Sequence, residues 1–247
     1  MNDRGVLLIH GFTSDHTAMQ PIADIAKSLG YVTEAPLLRG HGQTYRDLRG
    51  VSWDDWMADV AEALAALRQR ATRVVIAGFS MGGLLALATA AQHDDLEGVV
   101  AMAPALRIAH PLARYAMLAR GWLPFVPMGK AVAYSDPAMA ATDDSYSRLA
   151  VDAFVSFYRA TRRVERMLPR IKAPLLVLHS LRDRVIRPEA AAIAYHHVNS
   201  TEKQLVWFAR SGHALLADIE AEEVLQHIRT FLASRLPPAP ETVHSTP

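Results

Sequence analysis

Arg73-Val74-Val75-Ile76-Ala77-Gly78-Phe79-Ser80-Met81-Gly82-Gly83-Leu84-Leu85 joins a short apolar run to a longer one through a serine bracketed by glycines. The run at 73–77 reads as a strand buried on both faces, and the pattern at 81–92 reads as a helix. The turn between them, Gly78-Phe79-Ser80-Met81-Gly82, is a G-x-S-x-G. A nucleophilic serine must turn sharply from strand to helix so that its hydroxyl stands clear of the sheet. Glycines flank it because side chains would collide where the backbones crowd together. The helix that opens at once points its positive end toward the serine and favours developing negative charge there. As a bare string the motif is only moderately specific; in this strand–turn–helix setting it makes Ser80 the candidate nucleophile.

Working outward, further apolar runs at 5–9, 31–35, 98–103, 174–179 and 204–208 read as strands. Helical patterns lie at 19–29, 53–69, 189–195 and 221–234, the second opened by a capping box at Ser52-Trp53-Asp54-Asp55. Strand and helix alternating with right-handed crossovers predict an α/β fold: a doubly wound, mainly parallel sheet of about six strands. One connection, 106–172, is far longer than a usual crossover. It holds Pro111, Pro124, Pro127, Pro137 and Pro169 and is expected to form a small helical cap over the carboxyl end of the sheet. The core is then 1–105 and 173–235, and the proline-rich, polar stretch 236–247 is expected to be a disordered tail. There are no repeats.

A chain of 247 residues, 51% hydrophobic and 21% charged, suits one α/β domain of this size. A net charge of +1 argues against nucleic acid as a partner, since phosphate binding needs a concentrated positive patch. With no cysteine, disulfides and thiolate metal sites are excluded. The apolar run Val6-Leu7-Leu8-Ile9 is too short for a signal-peptide core or a membrane span. The expectation is a cytoplasmic protein without stable membrane insertion, monomeric or homodimeric.

A serine hydroxyl needs a base, and eleven histidines compete for that role. His213, in Ser211-Gly212-His213, follows the last strand and reaches the same sheet edge as Ser80. His196 and His197 lie near a helix end, His227 within a helix and His244 in the tail, where solvated or structural roles are expected. The supporting acid should fall between Ser80 and His213 in chain order. Asp183, just beyond the strand at 174–179, meets that requirement. Asp218 is the competitor, read as a helix cap or a carboxylate supporting the site from behind. Acyl transfer also needs amides aimed at an oxyanion. The N–H of Met81 and, from His10-Gly11-Phe12-Thr13, the N–H of Phe12 are the candidates, with His10 an anchor beneath that loop.

The stretches LLIHGFT (7–13), APLLRGHG (35–42), AGFSMGG (77–83), LHSLRDRVI (178–186) and SGH (211–213) together resemble the α/β-hydrolase superfamily. Within it they are most similar to the small bacterial carboxylesterases and monoacylglycerol lipases. The motifs span most of the chain but leave out the cap and tail. The resemblance implies a Ser80–Asp183–His213 triad, an oxyanion hole from the Phe12 and Met81 amides, and ester hydrolysis through an acyl-serine without metal or organic cofactor. In Leu38-Arg39-Gly40-His41-Gly42 it implies a structural turn, so His41 stays outside the catalytic set. The chain also opens directly on the HGF strand, without the antiparallel strands that begin many larger relatives.

The expected substrate is a small-molecule ester, either of short-to-medium acyl chain or a monoacylglycerol. Trp122, Phe125, Val126 and Ile186 are candidate pocket residues. The apolar group around Trp122 suits an acyl tunnel and cap-to-sheet packing equally. A thioesterase or carbon–carbon bond hydrolase would use the same triad, and a non-catalytic binding protein would keep only the fold.

Overall fold

A computed structural model describes residues 3–111, 113–119 and 122–235, so the stretch 236–247 lies outside the described residues. Its strands are β1 (Arg4–Ile9), β2 (Val32–Glu34), β3 (Arg73–Phe79), β4 (Gly98–Met102), β5 (Phe125–Pro127), β6 (Arg148–Ala150), β7 (Leu175–Ser180) and β8 (Lys203–Phe208). The α-helices are α1 (Gln20–Ser28), α2 (Trp53–Arg68), α3 (Met81–Ala90), α4 (Ala116–Ala119), α5 (Val151–Met167), α6 (Glu189–His197) and α7 (Ala221–Ala233).

Six strands form one parallel sheet in the order β2-β1-β3-β4-β7-β8. The chain runs from β1 outward to β2, then crosses back to place β3 on the other side of β1. Loops leaving β1 and β3 therefore diverge at the carboxyl edge, where open α/β sheets form their binding crevice.

Alternation along each strand divides the core in two, as a period of two requires. Leu7, Ile9, Ile76, Val99, Leu175 and Val177 face the layer built by α2, α3, α5 and α6. Val6, Leu8, Val75, Val100, Leu176 and Leu178 face α1 and α7. Every residue of α3 is buried, because it is roofed by other helices as well as floored by the sheet. The Ser52–Asp55 capping box is present, with the Ser52 amide donating to the Asp55 carboxylate at 2.9 Å.

The long insertion combines helices with a short pair of strands. Its middle carries short 3-10 turns and a two-stranded antiparallel sheet, in which Phe125 faces Ala150 and Pro127 faces Arg148. These strands of three residues are stabilised by pairing, which a local apolar pattern does not reveal. The insertion ends in α5, a 17-residue amphipathic helix whose Ala153, Phe157, Ala160 and Val164 belong to the same core as α2 and α3. Pro137 and Pro169 lie outside α5, and its interior is free of them.

Candidate active site

Ser80 sits between β3 and α3 at φ 55° and ψ −113°. Such a backbone costs a non-glycine residue on the order of 1–3 kcal/mol and persists only where its surroundings enforce it. They do so here by crowding. A methyl group on Gly78 would overlap the carbonyl of Gly82, and one on Gly82 would overlap the carbonyl of Ile9. The Ser80 amide donates to the Met102 carbonyl at 2.8 Å, and the Ser80 carbonyl accepts from Leu84 at 3.1 Å and Ala105 at 3.2 Å.

The loops after β3, β7 and β8 bring Ser80, Asp183 and His213 together. His213 Nε2 lies 3.0 Å from Ser80 Oγ, and its Nδ1 lies 2.7 Å from Asp183 Oδ2. An ionised carboxylate only accepts, so this contact assigns the proton to Nδ1 and leaves Nε2 to accept from the serine hydroxyl. Asp183 Oδ1 accepts from the Val185 and Ile186 amides, each at 2.8 Å. Burial by itself would raise the Asp183 pKa. The His213 charge and hydrogen bonds from His179 and His213 outweigh it and hold the carboxyl well below the usual range. All three side chains are buried.

Two further carboxylates shape the histidine loop. Glu220 accepts from the Ser211 amide at 2.6 Å and the Arg210 amide at 2.9 Å. Asp218 accepts from the Gly212 amide at 2.7 Å and, across from the insertion, from the Ser135 amide at 2.7 Å and the Ser135 hydroxyl. Burial would raise both acids, but these donors prevail and lower them. The Ala214 amide also donates to Ala133 at 2.8 Å, so residues 133–135 are tied to the histidine loop at two points.

The loop after β1 is held by two neutral imidazoles. His10 Nδ1 donates to the Gly11 carbonyl at 2.9 Å, while its Nε2 accepts from the Leu38 amide at 3.2 Å. His41 Nδ1 donates to the Arg39 carbonyl at 3.1 Å, and its Nε2 accepts from the Thr13 amide at 3.3 Å. Burial, reinforced by repulsion from His41, lowers the His10 pKa to about 3; burial lowers that of His41 to about 4. Among the described residues the Phe12 amide donates to no protein acceptor. Met81 is the first residue of α3, where a helix leaves amides without an internal partner.

The pocket candidates disperse. Trp122 is 88% exposed, in a loop that presents it to water rather than to the triad. Phe125 and Val126 form β5, and the Phe125 ring packs edge-on against Tyr45 at 5.0 Å. Ile186 is buried beside the triad, its amide on Asp183. Around Phe12, already singled out for its amide, the structure gathers aromatic rings that the sequence reading passed over. Phe12 packs against Trp56 at 5.7 Å, Phe157 at 5.8 Å and Phe154 at 6.5 Å, and Phe79 lies 5.0 Å from the His213 ring. Phe154 and Phe157 stand three apart on α5, a spacing that marks one helix face. Among the described residues no group of three or more His, Asp or Glu side chains is arranged to hold a metal ion. No helix among them is long and apolar enough to cross a membrane.

Against known proteins, a family model described as serine aminopeptidase, S33, matches residues 2–220. A thermostable monoacylglycerol lipase from Bacillus sp. (strain H-257) is 32% identical over 231 residues, covering 93% of this chain and 90% of that protein. A carboxylesterase from Bacillus subtilis (strain 168) is 25% identical over 232 residues, covering 93% of this chain and 92% of that one. A solved structure reported for LipS and LipT, two metagenome-derived lipolytic enzymes, superposes with a TM-score of 0.88 at 28% identity, covering 94% of each chain.

Proposed function

This chain belongs to the serine aminopeptidase S33 family of α/β-hydrolases, and we propose that this carboxylic ester hydrolase works through an acyl-serine at Ser80. The substrates we assign to it are monoacylglycerols or esters of short-to-medium acyl chain, in line with relatives named as a monoacylglycerol lipase and a carboxylesterase. The observation that carries the mechanism is the unbroken line of hydrogen bonds from Asp183 through His213 to Ser80, ending on a strained turn.

Ser80 Oγ attacks the ester carbonyl while His213 Nε2 takes the hydroxyl proton. Negative charge grows on the former carbonyl oxygen, where the Phe12 and Met81 amides are its donors. The tetrahedral species collapses to acyl-Ser80 as the alkoxide leaves with the proton from His213. A water molecule then gives its proton to His213 and attacks the acyl group, releasing the acid and restoring Ser80. Throughout, Asp183 orients the ring and stabilises the imidazolium without taking the proton. The peptidase activity in the family's description would need an acid facing a free amine. Asp218 and Glu220, the carboxylates just beyond the base, are both occupied by backbone amides.

The test is hydrolysis of p-nitrophenyl esters from acetate to palmitate, and of monoacylglycerols over the same lengths, by wild type and Ser80→Ala. The expected result is turnover with a defined length optimum, falling at least about 10⁴-fold in the mutant. Ester turnover unchanged in Ser80→Ala would overturn the mechanism. Turnover of aminoacyl p-nitroanilides without ester turnover would move the chain to peptide chemistry.

A further inference from the structure

His179 is fully buried at the carboxyl end of β7, and the mechanism above gives it no task. Its Nε2 edge faces two acceptors: the Ile186 carbonyl at 3.2 Å and Asp183 Oδ2 at 3.3 Å. Two acceptors on one nitrogen assign that nitrogen a proton. The opposite nitrogen, Nδ1, is buried with no hydrogen-bond partner. The nearest ring neighbour is Trp207, 6.1 Å away with its plane at 60°.

A buried imidazole with one nitrogen unsatisfied is a poor choice for packing alone, since an unmet polar atom costs stability that an apolar residue would not. What the ring provides is its engaged edge. Asp183 Oδ2 thus receives His213 Nδ1 from one side and His179 Nε2 from the other, while Oδ1 takes two backbone amides. Among the described residues, His179 meets the Asp183 carboxylate, the Ile186 carbonyl and the Trp207 ring, and Asp183 links it to His213.

We propose that His179 is a positioning residue: its Nε2–H fixes the Asp183 carboxylate and the 183–186 turn, and draws off part of the negative charge that Asp183 offers to His213. The inference rests on the proposed triad. Without that hydrogen bond, Asp183 turns more freely and presents a more basic oxygen to His213. The imidazolium is then better stabilised in the resting protein, so His213 holds its proton to higher pH, and the serine loses an aligned base.

The experiment compares wild type with His179→Leu, which removes the donor, and His179→Gln, which keeps an N–H near the Nε2 position. Histidine NMR titration of His213 is read alongside kcat and KM for one p-nitrophenyl ester. In His179→Leu the His213 midpoint is expected to rise measurably and kcat to fall roughly tenfold, with KM little changed. His179→Gln should restore both. An unmoved midpoint with unchanged kcat in a folded His179→Leu protein would overturn the inference. So would a Gln variant that folds yet behaves like Leu. If His179→Leu does not fold, the Gln comparison with wild type and a Phe variant decides in its place. The titration reads His213 without turnover, so a protein inert toward every ester would sink the proposed function while still deciding the part played by His179.

Discussion

His10 and His41 lie with ring centroids 4.8 Å apart, and each uses one ring nitrogen as donor and the other as acceptor to the backbone. Only the neutral rings fit this pattern, because a second proton would face the Leu38 or Thr13 amide donor. Their folded pKa values, about 3 and about 4, lie below the ordinary 6.5. The unfolded chain thus binds more protons than the folded one between those limits, and stability falls as pH drops through that window. Chemical denaturation at pH 7.5 and pH 5.5 should show a loss of about 1 kcal/mol per histidine, beginning before the acidic side chains titrate. His41→Gln should flatten the dependence by its share; an equal slope in that variant would contradict the account. At this scale the sequence was most legible where a residue's place in a motif implied its partners. Ser80, Asp183 and His213 came from strand ends and chain order, and His10 was read as an anchor. His179 was not legible. Its bond to Asp183 depends on which way a strand-end side chain turns, and one-dimensional spacing does not encode that.

At the scale of elements, the apolar runs located all six strands of the main sheet, most plainly β1, β3, β4 and β7, which are buried on both faces and leave few polar residues within them. β2 came out shorter than expected, at three residues. It pairs with β1 over Val32, Thr33 and Glu34, all of them half-buried. The insertion was the least legible part, since β5 and β6 exist through mutual pairing and α5 through packing on α2 and α3. The β3–α3 turn is the element where sequence and geometry are most tightly joined. Gly82→Ala should be severe, because the methyl would meet the backbone of Ile9 rather than a movable side chain. We expect a loss of more than about 3 kcal/mol or failure to accumulate folded protein, read by thermal denaturation. A variant melting like wild type would show that the turn can widen.

For the molecule as a whole, the division into core and insertion does not match the division of its packing. α5 is reached through the insertion, yet its Ala153, Phe157, Ala160 and Val164 share one core with the sheet, α2 and α3. Among the described residues, the insertion therefore shows no hydrophobic centre of its own, separate from that of the sheet. Calorimetry should give a single cooperative transition, with calorimetric and van't Hoff enthalpies in agreement. An early, separable transition for residues 106–150 would show that the hairpin and turns unfold independently of α5.

The ties between residues 133–135 and the histidine loop carry a practical consequence for anyone replacing the insertion. The loops carrying Ser80, Asp183 and His213 leave β3, β7 and β8, whereas the insertion leaves β4, so the two are encoded in different stretches of chain. The exchange has a docking code. A grafted segment must present a carbonyl where Ala133 meets the Ala214 amide, a hydroxyl where Ser135 meets Asp218, and a backbone that leaves room only for hydrogen at position 212. Transplants that respect those three contacts would leave the histidine loop in register; those that ignore them would shift His213 along with the insertion.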